Sequence, residues 1–532
     1  MHSFRKIVCF VALLSVFVAC RKPTSANWDV DVVLPVVKSK LNITNFFSDT
    51  LIKADNSGLL HININRELVY LKLDTLLNLP TTVITPSPFV TPFNYTLTHQ
   101  NSLNFFVPTE VEFDIGNDVQ LTRVDIKKGQ LTVKYSNSIS EPLDLLCKIP
   151  NATKNGELLL IKETIPPGEN SLTKTYDLAG YSLNLRGLDG KKYNAISQSY
   201  TINLNPDANE VLVPQGKGAS IELSYSDITP AYAEGYFGTQ KVDFPTTVVD
   251  LGLTDNFSAS NFLLSEATMS FNIINEIGAD FAGGFNTIKS INSFNSKDVA
   301  LQNNNITSFR INGATRSANN IKPADNPLVF NNSNSNFASF ISNIPNKLSY
   351  AGMVEINPLG QATKHHNQFI YFNNGIKILA DIDIPIRFTA DYFRLKTKAD
   401  VNLSSVSQLD NVNNGDFVIE ANNSYPFDVR LQAYMLNEQN QIIDSIFVNG
   451  ENTLAAGKFD AQKNEIVSAS TSKIYVPLNK FKIENLKNCR SIQTISYVIV
   501  PKNIPSVQLL EKFEIDLNIV AEINYNVGLK SR

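Results

Sequence analysis

Tryptophan, methionine, cysteine and histidine are scarce in this chain: its 532 residues include one, four, four and five of them. So few histidines leave little room for a multi-histidine metal centre. A surplus of either charge is missing too, with 46 Lys and Arg against 50 Asp and Glu and a net charge of -4. That balance argues against an electrostatic footprint for nucleic acid, which is not expected as a partner. Past the first twenty residues no segment approaches 18 apolar residues, so no transmembrane helix is expected. Signature motifs of catalysis are absent as well: no G-x-S-x-G elbow, Walker A loop, G-x-G-x-x-G, H-E-x-x-H or C-x-x-C occurs. The sequence assigns no catalytic, cofactor-binding or metal residue. No enzyme activity and no cofactor are expected.

What the chain does hold is apolar and aromatic: 43% of it is hydrophobic and it carries 32 Phe and 18 Tyr. That excludes a disordered chain. The length predicts three or so domains. Asparagine supplies 62 residues, well above its usual share.

Residues 1–20 read as an address. Arg5 and Lys6 give a positive start, and Ile7 to Val18 form an apolar stretch too short to span a bilayer as a helix. Phe17-Val18-Ala19-Cys20 resembles a bacterial lipobox, with Phe17 standing where Leu is usual. It predicts a lipoprotein signal peptide over 1–20, a lipidated Cys20, and a polar tether over Arg21 to Asn27. Cys147 and Cys489 then remain. Period-2 reading puts Leu143, Leu145, Cys147 and Ile149 on one face, so a buried thiol is the default there. A disulfide needs the two Cα atoms within about 7 Å, which sequence cannot place.

Alternation of polar and apolar residues dominates, as in Gln130 to Tyr135, Ser197 to Leu204 and Ser220 to Tyr225. Each such strand has one wet and one buried face, the mark of antiparallel sandwiches. The fold class expected is all-β: tandem antiparallel immunoglobulin-like β-sandwiches with one or two short helices. The helix candidates are Asn334 to Ser342, capped by Asn334 or Ser335, and Lys480 to Asn488. Irregular strand spacing argues against a transmembrane barrel. Three regions follow: an N-terminal β region over 27–232, a middle β domain over 235–392, and a C-terminal sandwich over 393–527. Residues 302–336 are Asn- and Ser-rich and read as a loop insertion.

Three segments repeat. Each is an alternating strand, an Asn, a short kinked turn, and an Asp opening a second strand. The pairs are Asn137 and Asp144, Asn275 and Asp280, Asn423 and Asp428. The first copy has two extra residues. The domain-sized period marks an internal repeat. An Asn side chain can bond neighbouring backbone and tolerates left-handed φ, so it suits a corner between strands.

The third copy, Phe417 to Leu436, then Gln441 to Val448 and a Leu454-Ala455-Ala456-Gly457 turn, resembles the late-embryogenesis-abundant, water-stress-type β-sandwich. That resemblance implies an immunoglobulin-like fold and no catalytic residues. The whole chain also resembles Bacteroidetes-type outer-membrane lipoproteins, through Trp28 to Pro35, Gly235-Tyr236-Phe237-Gly238, Ile344-Pro345, Tyr350-Ala351-Gly352, Ile356-Asn357-Pro358 and Ile382 to Pro385. It implies an outer-membrane address and no activity.

The remaining chemical candidates read as surface. Asp29/Asp31 and Asp381/Asp383 are D-x-D pairs on strands, more in keeping with solvated faces than with calcium. His365 and His366 point apart if extended. His61 and His99 stand alone. Asp49-Thr50-Leu51, Asp74-Thr75-Leu76 and Asp444-Ser445-Ile446 resemble a short O-glycosylation motif at about the frequency chance supplies. Aromatic residues read as core packing rather than sugar platforms. Arg21-Lys22-Pro23 follows Cys20 where surface-exported lipoproteins of this group tend to carry an acidic run, which favours the periplasmic face. The function expected is a non-enzymatic envelope lipoprotein acting as scaffold or binding module. Alternatives are a glycan- or lipid-binding carrier and a carbohydrate-active enzyme. The partners expected are the membrane, through the N-terminal lipid, and an envelope protein or a glycan.

Overall fold

The computed structural model describes residues 26–529, apart from 47–50, 73–78, 86–88, 102, 169–170, 318–319, 361–364, 402–411, 448–451, 461–464 and 503–505. Cys20, with the rest of residues 1–25, lies outside the described residues. Strand dominates them, with a 3-10 turn at Ile43–Phe46 and two short helices, Phe337–Ser342 and Lys480–Asn488. The expected all-β class is what the structure shows, and the long ladders are antiparallel.

Alternation does the folding work. In Thr268–Asn275 every second residue, Met269, Phe271, Ile273 and Asn275, is buried. Two sheets of such strands face each other in the middle sandwich. One contains Leu60–Lys72, Gly375–Pro385, Thr268–Asn275 and Ala324–Phe330; the other contains Gln240–Asp250, Lys347–Ile356 and Phe281–Asn292. Phe271 and Phe285 meet across the gap at 5.1 Å, and the Tyr350 hydroxyl donates to the Leu68 carbonyl. The C-terminal sandwich pairs Ala26–Asn42, Glu514–Leu529, Val412–Asn423 and Ser470–Pro477 in one sheet. Its other sheet runs Phe257–Ser260, Tyr392–Asp400, Ser491–Ile499, Val429–Leu436 and Ile442–Ser445. The N-terminal unit is one large sheet bent on itself. Its seam is Ser182–Asn184, which pairs with both Gln120–Asn137 and Leu143–Lys154.

The three units are nested, not serial. Ala26–Asn42 belongs to the C-terminal sandwich, where it pairs with Glu514–Leu529. Leu60–Lys72 belongs to the middle one, where it pairs with Gly375–Pro385. The N-terminal unit, from Thr82–Ile84 to Gly218–Tyr236, is thus inserted within the middle sandwich, and both lie within the outer one; two short strands cross this order, Phe257–Ser260 joining the outer sandwich and Gln368–Tyr371 the N-terminal sheet. The sheets therefore do not divide the chain at 232/235 and 392/393. Alternation shows which face of a strand is buried but carries no record of its partner, so the two early strands read as part of the region that follows them.

The 302–336 segment also differs from a plain loop. It contains Phe309–Ile311 and the whole of Ala324–Phe330, which joins the middle sandwich beside Thr268–Asn275 and buries Phe330 fully. The helix after it is preceded by Asn336 at the cap position, with no side-chain cap bond. Asn334 instead accepts from the Asn331 amide at 3.0 Å. The second helix starts as a capped one should: Asn479 accepts from the Lys482 amide at 2.9 Å.

Several of the short segments singled out in the sequence, Gly235 to Gly238 and Asn357 among them, build the joint between the N-terminal and middle units. Gly238 has φ 69°, and a Cβ there would meet the Asn117 carbonyl at 1.9 Å. Beside it Tyr236 and Phe237 are buried. Gln368 and Asn357 bond each other at 2.6 and 3.1 Å; Gln368 accepts from the Phe237 amide, and Asn357 donates to the Gly238 carbonyl. These residues hold two units together. Cys147 and Cys489 are free and buried. Burial pushes the Cys147 thiol up to about 12 and raises that of Cys489, so neither is a thiolate at neutral pH.

Candidate functional site

The three repeat asparagines are the last residues of Gln120–Asn137, Thr268–Asn275 and Val412–Asn423, and all three are fully buried. None has positive φ. They act through the side chain instead. In each copy the side-chain oxygen accepts from the amide two residues on: Ile139 at 2.9 Å, Ile277 at 2.9 Å and Tyr425 at 3.0 Å. The side-chain nitrogen donates to the carbonyl four residues on, at Glu141, Ala279 and Phe427. It also reaches a carbonyl at the end of a distant strand: Ile165 and Pro166, Asn312, or Ala455. One buried amide thus satisfies three backbone groups where two strands turn a corner.

The acidic residues divide. Asp280 accepts from the Gly313 amide at 2.8 Å, and Asp428 from the Ala456 amide at 2.9 Å. In both copies Asn and Asp grip opposite ends of one peptide unit, 312–313 or 455–456. Asp144 does something else, accepting from Thr164 and Asn205 at 2.8 Å each. Because Glu141 supplies the carbonyl that Ala279 and Phe427 supply elsewhere, the position matching Asp280 and Asp428 is Pro142. The corner of the first copy has no two-residue insertion. The distant strand explains the change: Pro166 stands there, and a proline offers no N–H for a carboxylate to accept. These six residues are architectural, and the structure brings none of them to an open site.

The open site lies on the N-terminal unit. A cleft of about 840 Å³ follows the seam at Ser182–Asn184, walled by Gln120–Asn137, Leu143–Lys154 and the end of Gly218–Tyr236. Its rim includes the Asn155-Gly156 hairpin, with φ of 53° and 86°, the pair that a type I′ turn demands. Arg123, Arg186, Asp125, Glu234, Thr153, Ser182 and Asn184 line it, with Asn151, whose amide is bonded to Ser197 and Gly187. Arg123 clasps both oxygens of Asp125, at 2.9 and 3.0 Å. Glu234 accepts from the Tyr232 hydroxyl at 2.5 Å and from Arg316 at 3.3 Å. Arg316 also donates to the Tyr232 hydroxyl and lies over the Phe369 ring. Burial, then Glu234, raises the Tyr232 hydroxyl well above its usual range, so it stays a donor. Sequence reading missed this cleft because its walls come from segments over a hundred residues apart.

Other candidates resolve individually. Asp29 and Asp31 accept from Asn526 and Asn524 at 2.9 Å. His61 is not isolated: its Nδ1 lies 2.8 Å from Asp383 and its Nε2 3.6 Å from Asp55. His366 stacks on Tyr193 and bonds Gln120 at 2.7 Å, while His365 is exposed. Ser445 donates to the Phe447 carbonyl at 3.0 Å; Asp49-Thr50 and Asp74-Thr75-Leu76 lie outside the described residues. Among the described residues no group of three or more His, Cys, Asp or Glu is placed to share a metal, and no helix is long and apolar enough to cross a membrane. An apolar cavity between Ile62, Ile64, Phe257, Phe262 and Ile341 measures about 30 Å³.

No protein-family model matches the chain, and no curated protein matches it. Solved structures offer distant likenesses. A protein of Parabacteroides distasonis described as secreted is 10% identical, with a TM-score of 0.28, over 53% of this chain and 82% of that one. The N-terminal tandem of two CBM22 domains from Xyn10C of Paenibacillus barcinonensis is 8% identical, with a TM-score of 0.12, over 87% and 98%. At TM-scores this far below 0.5 neither likeness carries a functional argument.

The corners predict a mutational signature. Asn423→Ala strands two carbonyls and one amide in the core, which at about 1–3 kcal/mol per group, partly relieved by water, costs roughly 2–4 kcal/mol. Asn423→Asp is expected to be as damaging, because it keeps the acceptor but turns a carboxylate toward two carbonyls. Urea unfolding checks both; a loss below about 0.5 kcal/mol would place the variant with ordinary surface changes and contradict the role.

Proposed function

We propose that this chain is a non-enzymatic outer-membrane lipoprotein, held by a lipidated Cys20 at the periplasmic face, whose body is a scaffold with a binding cleft for a hydroxyl-rich ligand such as a glycan. The lining of the cleft carries the reading. Donors (Arg123, Arg186), acceptors (Asp125, Glu234) and groups that do both (Thr153, Ser182, Asn184) interleave along it, and the two carboxylates keep lone pairs beyond those their protein partners fill. A hydroxyl both donates and accepts, so an interleaved wall suits a polyol, whereas an anion would favour donors alone. The walls are strands, which fix the groups before the ligand arrives and limit the entropy lost on binding.

The alternatives find less support. An acyl chain needs far more room than the 30 Å³ apolar cavity gives, which is about the share of one water. A glycosidase needs one carboxyl as acid and another as base or nucleophile. Both oxygens of Asp125 are held by Arg123, and Glu234 is engaged by Tyr232 and Arg316. The address rests on the lipobox, and the periplasmic side on Arg21-Lys22-Pro23.

Two measurements test this. Cys20→Ala is expected to move the protein from the membrane to the soluble fraction; unchanged fractionation rejects lipidation. Against an array of microbial and plant polysaccharide fragments, the chain is expected to retain polar glycans, and Asn184→Ala with Arg186→Ala to weaken retention roughly tenfold or more, the worth of one or two lost hydrogen bonds. Binding unaffected by the pair, or release of shortened sugars, contradicts the proposal.

A further inference from the structure

We infer that the outer end of the ribbon formed by Ala26–Asn42 and Glu514–Leu529 is a membrane contact, seating Trp28 and Val30 in the headgroup layer of the bilayer that holds Cys20. The inference rests on the reading of Cys20 as lipidated. Its first support is a stripe of apolar side chains that outruns the core. Trp28, Val30, Val32, Leu34 and Val36 share one face of the strand. Their burial falls steadily toward the end: Val36 is 4% exposed and Leu34 8%, Val32 is partly buried, Val30 is 42% exposed and Trp28 50%. Leu34 and Val36 face the opposite sheet; Trp28 and Val30 continue the same face beyond it. On the other face the outer end is polar, with Asp29 and Asp31 tied to Asn526 and Asn524, and the exposed Val33 lies further in. The ribbon end is therefore two-sided. A scattered surface apolar residue needs no explanation, but a continuous stripe ending in an aromatic does.

Position and charge select a lipid surface as the occupant. Trp28 lies eight residues after Cys20, so an extended chain keeps it within about 28 Å of the lipid attachment. The register sets Ala26 opposite Leu529, which brings both ends of the ribbon to the same place. The flanking segments, Arg21 to Ser25 and Lys530 to Arg532, contain four basic residues and no acidic one. Basic side chains next to a bilayer are drawn to anionic headgroups. Indole prefers the interface, where its ring is half in hydrocarbon and its N–H stays hydrated. A short polar tether alone leaves the orientation of the body open. A ribbon end set into the headgroups fixes it.

Trp28 is the only tryptophan in the chain, so its fluorescence reports this contact alone. The full lipidated protein is reconstituted into phosphatidylethanolamine and phosphatidylglycerol vesicles, with acyl chains brominated near the interface or unbrominated. Emission is expected to shift to the blue and to fall roughly twofold with bromine, as for an indole at the interface. Protein that floats with the vesicles yet is unquenched overturns the contact while leaving the anchor intact. Emission shielded from soluble iodide but insensitive to bromine also overturns it, by showing that protein covers Trp28. Protein that does not float at all defeats the lipidation reading, and the contact with it.

Discussion

The pairing of Ala26–Asn42 with Glu514–Leu529 is the constraint on which the rest of the molecule depends. It joins residues almost five hundred positions apart and completes the outer sandwich. Inside it, Leu60–Lys72 pairs with Gly375–Pro385 and completes the middle one. Two closures, one within the other, convert a chain of short alternating strands into a body with few independent parts. Each closure is costly in loop entropy, though that cost grows only slowly with loop length. The apolar area buried along the two ladders offsets it. The first of the described strands is therefore also the strand that closes the fold.

Within that frame the corners are set by three buried asparagines. A sandwich strand must end and turn over without leaving its last amides and carbonyls unpaired in the core. Asn137, Asn275 and Asn423 solve this with one side chain each. Where the distant peptide has an N–H, Asp280 or Asp428 takes it; where Pro166 removes the N–H, Pro142 replaces the acid. The repeat thus keeps a hydrogen-bond account rather than a residue pattern.

That contrast shows what could be read in advance. Period-2 alternation identified the fold class, because burial of one face is a local property of each strand. The corner asparagines were legible because their main bonds reach only two and four residues along the chain. Asp144 was misaligned with Asp280 and Asp428 because its difference originates at Pro166, on another strand. The nesting was invisible because pairing is chosen across hundreds of residues. The cleft was invisible for the same reason: Asp125, Asn184 and Glu234 converge only once the seam strand has joined two ladders. His61 read as isolated for want of knowing that Leu60–Lys72 would lie beside Gly375–Pro385, where Asp383 faces it. The polar clusters of this protein are assembled by non-local pairings, which leave no contiguous motif in the linear chain.

If closure governs the fold, the outer ribbon cannot open on its own. Native-state hydrogen exchange measures this residue by residue. The amides of Val32 to Leu41 that bond the Glu514–Leu529 strand, and those of Ile515 to Ile523, are expected to exchange only through global unfolding, with the same opening free energy as Met269 to Ile274 in the middle sandwich. Exchange of the ribbon at a markedly lower free energy, while the middle sandwich stays protected, would show that the units stand without the closure and would contradict the account.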